Sequence, residues 1–185
     1  PGTERTSKTF RVCSLSSSGP ELALVCALCL VLGGTLEEMA RAAHRKGARI
    51  FGWSEHVPLF AHEEDRLLPG TQMVKSAWDA YIAEAVAVRE TVGQKLRGME
   101  ILVGVEADYL PGTEPFYRER LAQPELDYVL GSVHEVGRCH TYKPATWDTL
   151  DDPDEFHRGY WRKLRAAAQS GLFDILSHLD AIRAK

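Results

Sequence analysis

Apolar residues in this chain follow two rhythms that take turns, one of helical spacing and one of short buried runs. From Thr35 to Gly47, Leu36, Met39, Ala40 and Ala43 recur at the spacing of one helix face. Thr35 and Glu38 form a capping-box pair at its start, and Gly47 supplies the left-handed residue that ends it. Ile50-Phe51-Gly52-Trp53 then reads as a short buried strand, and residues 59–70 as a polar loop closed by Pro69-Gly70. Val74, Ala77, Trp78, Tyr81, Ala85 and Val88 hold one face of a long helix predicted from about Thr71 to Leu96, with Gly98 marking its end. Ile101 to Val105 is the next strand, residues 115–122 make a short helix, and Leu126 to Gly131 is a third strand. Residues 137–150 are rich in turn formers and read as a loop. Asp152-Pro153-Asp154-Glu155 opens a helix that runs to Ser170-Gly171, with a capping acid, a proline in the first turn and acids at the positive end. Phe173 to Leu176 is the last strand. Helix and strand alternating in this way predict an α/β fold with a parallel sheet and right-handed crossovers. No internal repeat is visible and no linker divides residues 35–185.

Residues 1–33 break the rhythm. The first 20 are rich in Ser and Thr, interrupted by Gly and Pro, and predict a disordered, atypical leader. Leu22 to Leu32 is an apolar run too short to span a bilayer. Arg5, Lys8 and Arg11 precede it as in a signal peptide, but it runs straight into the helix start at Gly33-Gly34-Thr35, which favours a buried first strand. Cys26 and Cys29 form a C-x-x-C inside that run. With only Cys13 and Cys139 elsewhere and no second pair, they read as buried thiols and not as a zinc or disulfide framework.

Composition adds mainly exclusions. The chain is 44% hydrophobic and 26% charged, ordinary for a soluble globular domain, so no fibrous or disordered class needs to be invoked. Its net charge of −4 and the lack of a basic stripe argue against a nucleic-acid partner. Nothing points to a membrane, a cytoplasmic location is expected, and no pattern sets an oligomeric state.

The chemistry concentrates at the strand ends. Trp53-Ser54-Glu55-His56, Gly104-Val105-Glu106-Ala107-Asp108, Gly131-Ser132-Val133-His134 and Ser177-His178-Leu179-Asp180 each follow an apolar run. Barrels of alternating strands and helices carry their chemistry on that rim. Imidazole and carboxylate suit zinc, iron or manganese. Glu106 is the natural bridge between ions, with His56, His134 and His178 as neutral ligands. Such a cluster lowers the pKa of a bound water and neutralises charge on a phosphoryl group. Glu55 reads as a supporting or surface acid. Asp180 reads as a residue that orients a ligand or the substrate, or as a simply solvated acid. His44 and His157 lie on helices and face solvent. His62 and His140 lie in loops, where a substrate contact is the sharper reading and an ordinary loop role the favoured one.

These motifs, in this order, resemble the polymerase-and-histidinol-phosphatase (PHP) superfamily. Ser54-Glu55-His56-Val57-Pro58, Gly104-Val105-Glu106-Ala107-Asp108-Tyr109, Gly131-Ser132-Val133-His134 and His178-Leu179-Asp180 carry the likeness, and Gly34-Thr35-Leu36-Glu37-Glu38-Met39 resembles the first helix of the fungal type of the histidinol-phosphatase branch. The resemblance covers about residues 34–183. It implies a distorted (β/α)7 barrel with up to three divalent ions at the strand C-termini. It also implies hydrolysis of a small phosphate monoester, L-histidinol phosphate, in histidine biosynthesis. It makes His56, Glu106, His134 and His178 the metal ligands, and Glu106 and Asp180 the catalytic acids. Arg183 is its weak phosphate-binding candidate.

Two departures stand out. The family's His-x-His on the first strand is absent, since no His precedes His44, and its Asp-x-His after the last strand does not occur before Lys185. The expectation is therefore a PHP barrel incomplete at both ends, a leader at 1–33 of separate origin, and little or no activity for this chain alone. The rival readings are another PHP phosphoesterase and a non-catalytic remnant of the family.

Overall fold

The computed structural model describes residues 34–61, 72–137 and 139–183, and the backbone of residues 23–26. Among the described residues, five strands form one sheet: β1 (Ala23–Cys26), β2 (Ile50–His56), β3 (Glu100–Asp108), β4 (Tyr128–Ser132) and β7 (Ile175–Leu176). All four pairings are parallel, and the spatial order β1-β2-β3-β4-β7 is the order along the chain. A sheet order that never reverses, joined by right-handed crossovers, places every connection on one face. That is how a (β/α) barrel is wound, whereas a doubly wound sheet reverses its order.

The connections are α1 (Leu36–Arg45), α2 (Trp78–Gly93) and α3 (Glu114–Leu121). Between β4 and β7 come a hairpin of β5 (Glu135–Val136) and β6 (Cys139–His140), then α4 (Pro144–Trp147) and α5 (Pro153–Gln169). The capping box of α1 forms as predicted: Glu38 N–H donates to Thr35 Oγ1 at 3.2 Å and Thr35 N–H to Glu38 Oε2 at 2.9 Å. At α5, Asp152 Oδ1 accepts from Glu155 N–H at 2.9 Å, again as the sequence predicts.

Strand alternation divides the side chains between two cores. Phe51, Trp53, Val57, Ile101, Val103, Val105, Ala107 and Val129 point outward into a core shared with α1, α2 and α3. Trp53 is fully buried there and donates its indole N–H to Leu36 O at 3.1 Å. Ile50, Leu102, Tyr128, Leu130 and Ile175 form the apolar floor of the inner face. A Cβ at Gly52 or Gly104 would overlap the Tyr128 ring, so glycine at both positions is what admits that ring. The Tyr128 hydroxyl donates to Trp53 O at 2.7 Å and lies 2.6 Å from Ser54 Oγ. A second outer core joins Phe156, Tyr160, Leu164 and Ala167 of α5 to Val133, Ala181 and Ile182.

The structure corrects several boundaries. The strands reach further than their apolar runs, so His56, Glu106 and Asp108 lie inside β2 and β3, where parallel neighbours supply backbone hydrogen bonds. The last strand shrinks to Ile175–Leu176. The long helix starts at Trp78, after a 3-10 turn at Lys75–Ala77, because Val74 is extended with ψ of 152°. It ends at Gly93, short of Leu96. The predicted loop at 137–150 contains both β6 and α4. A described strand falls within the run Leu22 to Leu32, as expected. The disordered leader, the buried thiols of Cys26 and Cys29, and His62 lie outside the described residues and side chains.

Candidate metal centre

Side chains two apart on a strand share a face. On the inner face this gives Ser54 and His56 on β2, Gly104, Glu106 and Asp108 on β3, and Leu130 and Ser132 on β4. The register sets His56 opposite Glu106 and Asp108 opposite Ser132. Bonds just beyond the strands tie their tops together: Val57 N–H to Glu106 O at 2.9 Å, Tyr109 N–H to Ser132 O at 2.8 Å and Ser177 N–H to Gly131 O at 2.9 Å. His134 and His178 therefore emerge from β4 and β7 on the same rim. His134 O accepts from Thr141 N–H at 2.8 Å and Thr141 Oγ1–H at 3.1 Å. The Tyr160 hydroxyl lies 3.3 Å from the carbonyls of both His178 and Leu179, so α5 braces the end of β7. His178 has φ of 22°, on the left-handed side of the map that non-glycine residues seldom occupy.

Three imidazoles converge on one carboxylate oxygen. Glu106 Oε1 lies 3.0 Å from His178 Nε2, 3.7 Å from His134 Nε2 and 4.0 Å from His56 Nε2. Ser132 Oγ donates to the same oxygen, and the Nε2 atoms of His134 and His178 face each other at 3.3 Å. Glu106 is only 2% exposed. Burial pushes its carboxyl up, but the His178 hydrogen bond, the His56 charge, the Ser132 hydroxyl and the His178 charge outweigh that and hold it below the ordinary range.

Among the described residues, two sets of side chains have the spacing to hold a metal ion: Glu106, His134 and His178, and His56, Asp108 and His134. The first fits zinc closely. Ligands at about 2.0–2.1 Å around a tetrahedral ion sit about 3.3–3.4 Å from one another. The triangle of 3.0, 3.3 and 3.7 Å brackets that spacing. The donor chemistry agrees, because two imidazole nitrogens and a carboxylate oxygen are ligand atoms that zinc takes. His178 Nδ1 is buried with no hydrogen-bond partner, so protein groups alone do not satisfy this ring.

Asp108 closes the motif Gly104-Val105-Glu106-Ala107-Asp108, in which the sequence assigns a role to Glu106 alone. It pairs with His134 Nδ1 through Oδ1 and accepts from Gln72 Nε2 through Oδ2 at 3.0 Å. Burial raises its carboxyl, but the hydrogen bond and charge of His134 hold it below the usual range. Burial lowers His134, and Asp108 more than reverses that, leaving the imidazole raised. Its position two residues beyond Glu106 on one strand was the available signal. Ser132 carried the same signal two residues before His134. Gln72 carried none.

An aromatic wall rises beside the cluster. His140 stacks on His134 with centroids 6.0 Å apart and planes within 6°. The Tyr142 ring meets His134 at 5.6 Å and His178 edge-on at 5.8 Å. Burial, with Glu106, Tyr160 and Asp180 nearby, pushes the Tyr142 hydroxyl up to about 12. His140 is thus more than the ordinary loop residue expected. Asp180 is exposed and belongs to neither metal-capable set, although its charge also reaches Tyr160. Glu55 is neither at the surface nor beside the cluster. It is 3% exposed, and alternation turns it to the helix side, opposite His56. His44 and His157 stand apart and half-buried, paired with the carbonyls of Arg97 and Pro153. Arg183 sits in a 3-10 turn, and its side chain lies outside the described residues.

Comparison with known proteins points the same way. The sequence profile of the PHP domain matches residues 30–185. The chain is 33% identical over 155 residues to a "Probable histidinol-phosphatase" of Deinococcus radiodurans, covering 83% of this chain and 57% of that protein. The candidate histidinol phosphatase hisK of Listeria monocytogenes superposes with a TM-score of 0.69 at 19% identity, covering 86% of this chain and 66% of that one. Histidinol phosphate phosphatase of Lactococcus lactis, solved with zinc, L-histidinol and phosphate, gives 0.61 at 17% identity, covering 80% of this chain and 52% of that one. This chain thus spans little more than half the length of the curated relative it matches.

Proposed function

We propose, from the premise that this chain belongs to the PHP domain family, that it carries the metal-binding rim of a phosphomonoester hydrolase whose substrate is L-histidinol phosphate. One observation carries the reading: three imidazole nitrogens from three strand ends lie within 4.0 Å of a single oxygen of Glu106. The names of the relatives support the choice of ester.

Glu106, His134 and His178 would hold one divalent ion, zinc, manganese or iron. His56 would help hold a second, with Glu106 reaching both through its carboxylate. Bound there, such ions supply positive charge to the phosphoryl group and an activated water at neutral pH. The chain's own groups prepare the site. Ser132 donates to Glu106 and fixes the oxygen that the imidazoles surround. Tyr142 and His140 wall one side, which keeps bulk water off the His134 ring. In this reading Asp180 orients the substrate at the mouth and Arg183 contacts the phosphate. The enzyme works in the cytoplasm. No helix among the described residues is long and apolar enough to cross a membrane.

The test uses the full-length protein. Purified without chelator, it should retain two or three ions per chain and release phosphate from L-histidinol phosphate faster than from p-nitrophenyl phosphate or sugar phosphates. A metal-loaded protein that prefers another ester would replace the substrate. A protein that retains no metal and cleaves none of them would remove the enzyme reading.

A further inference from the structure

We propose that Asp108, held by Gln72, is a positioning residue: it fixes His134 as the Nδ1–H tautomer and so turns the Nε2 lone pair toward Glu106 and His178, without being a ligand itself. The inference deepens the proposed function and rests on the reading of His134 as a ligand. Asp108 stands in both roles on spacing alone, since it belongs with His56 and His134 to one of the metal-capable sets. The contacts separate the roles.

The His134 atom that meets Asp108 is Nδ1, and the two are in direct hydrogen-bonding contact. An ion bonded to both would have to hold them about 3 Å or more apart, given ligand distances of about 2 Å. An ionised carboxylate only accepts, so the shared proton sits on Nδ1 and the lone pair of the neutral ring falls on Nε2. That nitrogen lies 3.3 Å from His178 Nε2 and 3.7 Å from Glu106 Oε1. The far oxygen of Asp108 is also engaged, by Gln72 Nε2–H at 3.0 Å. Gln72 is 7% exposed and is held at the rim by its neighbour, since Met73 N–H donates to His56 O at 3.3 Å. With Thr141 gripping the His134 carbonyl, the ring is fixed at both its backbone and its Nδ1. A carboxylate behind a ligating imidazole is a general device for setting tautomer and ring direction.

Gln72 Oε1 is buried without a hydrogen-bond partner, and this makes a sharp test available. In Asp108→Asn, a turned Gln72 amide would present that oxygen to the new NH2, leaving the Asn carbonyl to accept from His134. Asp108→Ala removes the acceptor altogether. The measurement is imidazole 15N NMR on the full chain in alkaline buffer, where the ring is neutral, paired with zinc titration and a circular-dichroism check of folding. Wild type is expected to show His134 as Nδ1–H with or without zinc. Asp108→Asn should keep that tautomer and most of the zinc affinity. Asp108→Ala should mix the tautomers and weaken zinc about 10–100-fold. Gln72→Leu should fall between them, and it carries the question if Asp108→Ala does not fold.

An unchanged tautomer in Asp108→Ala would overturn the proposal. So would Asp108→Asn losing zinc as completely as Asp108→Ala while His134 stays Nδ1–H, the behaviour of a lost ligand. Wild type that binds no zinc but keeps the Nδ1–H form would sink the metal reading and leave the positioning role standing.

Discussion

The outward and inward faces of β2, β3 and β4 are made from the same stretches of chain, one residue out of step. Outward, Phe51, Trp53, Ile101, Val103, Val105, Ala107 and Val129 are apolar, with the buried Glu55 among them near the top of β2. Inward, the character changes along each strand, from Ile50, Leu102 and Tyr128 at the floor to His56, Glu106, Asp108 and Ser132 at the top. The outer face is mainly apolar because it meets helices along its length. The inner face is graded because the floor must exclude water, while the rim must hold charge and meet a solute. Stability should therefore answer mainly to the outer face and the floor, and metal binding to the rim.

The largest effect is expected on the outer face. Trp53→Ala removes a fully buried ring, its edge-to-face contact with Phe51 at 5.6 Å and its hydrogen bond to Leu36. The cost should be about 3–5 kcal/mol in urea unfolding. A loss under about 1 kcal/mol would mean that this face does not carry the fold.

Next comes the floor. Gly104→Ala would drive a methyl group into the buried Tyr128 ring, and the ring cannot yield without losing its bonds to Trp53 O and Ser54. Overpacking of this kind costs about 1–3 kcal/mol, with about 1 kcal/mol more for each hydrogen bond broken. Gly104→Ala paired with Tyr128→Phe should show strong non-additivity, because both changes act on one ring. Simple additivity in that double-mutant cycle would disconnect the glycine from the tyrosine.

The same two faces explain what the sequence could disclose. Alternating strand and helix periods are properties of single segments, so the parallel order and the capping residues Thr35 and Asp152 were legible. Strand ends were not, since His56 and Glu106 owe their extended backbone to each other across the ladder. That dependence is non-local. The convergence of His56, Glu106, His134 and His178 followed from one repeated position at strand ends. Asp108 was legible in principle by counting two residues on from Glu106. Gln72 and Tyr142 arrive from connecting segments, and only the folded chain shows where those segments cross the rim.

At the rim, Glu106→Gln keeps the shape and removes the charge. Zinc affinity should fall by about 100-fold or more, beyond what supporting residues usually contribute. Urea unfolding of the metal-free protein should change far less than for Trp53→Ala. Isothermal titration and unfolding on the same sample would read both. Loss of stability matching that of Trp53→Ala, with metal binding intact, would reverse the assignment of the two faces.

The smallest effect, and the finest test, is the pH dependence of the metal-free fold. His134 is raised above its ordinary 6.5, so its contribution is complete below that pH and is lost as pH rises through the folded value. Asp108 and Glu106 are lowered from 3.8 and 4.5, so theirs is present above those values and is lost as pH falls through the folded ones. The metal-free chain should therefore be most stable between about pH 4.5 and 6.5 as far as these groups decide it, with losses on either side. Zinc should abolish the alkaline limb. With Nδ1 engaged by Asp108, the extra proton of His134 sits on Nε2, where an ion would bind, so metal and proton compete for one lone pair. Zinc affinity should rise through the very range in which metal-free stability falls, and binding should release protons. Unfolding followed across pH above 6.5 would show stability falling with chelator and level with saturating zinc, as far as His134 decides it. Parallel slopes would mean that His134 Nε2 is not a metal atom, and the graded rim would lose its chemical meaning.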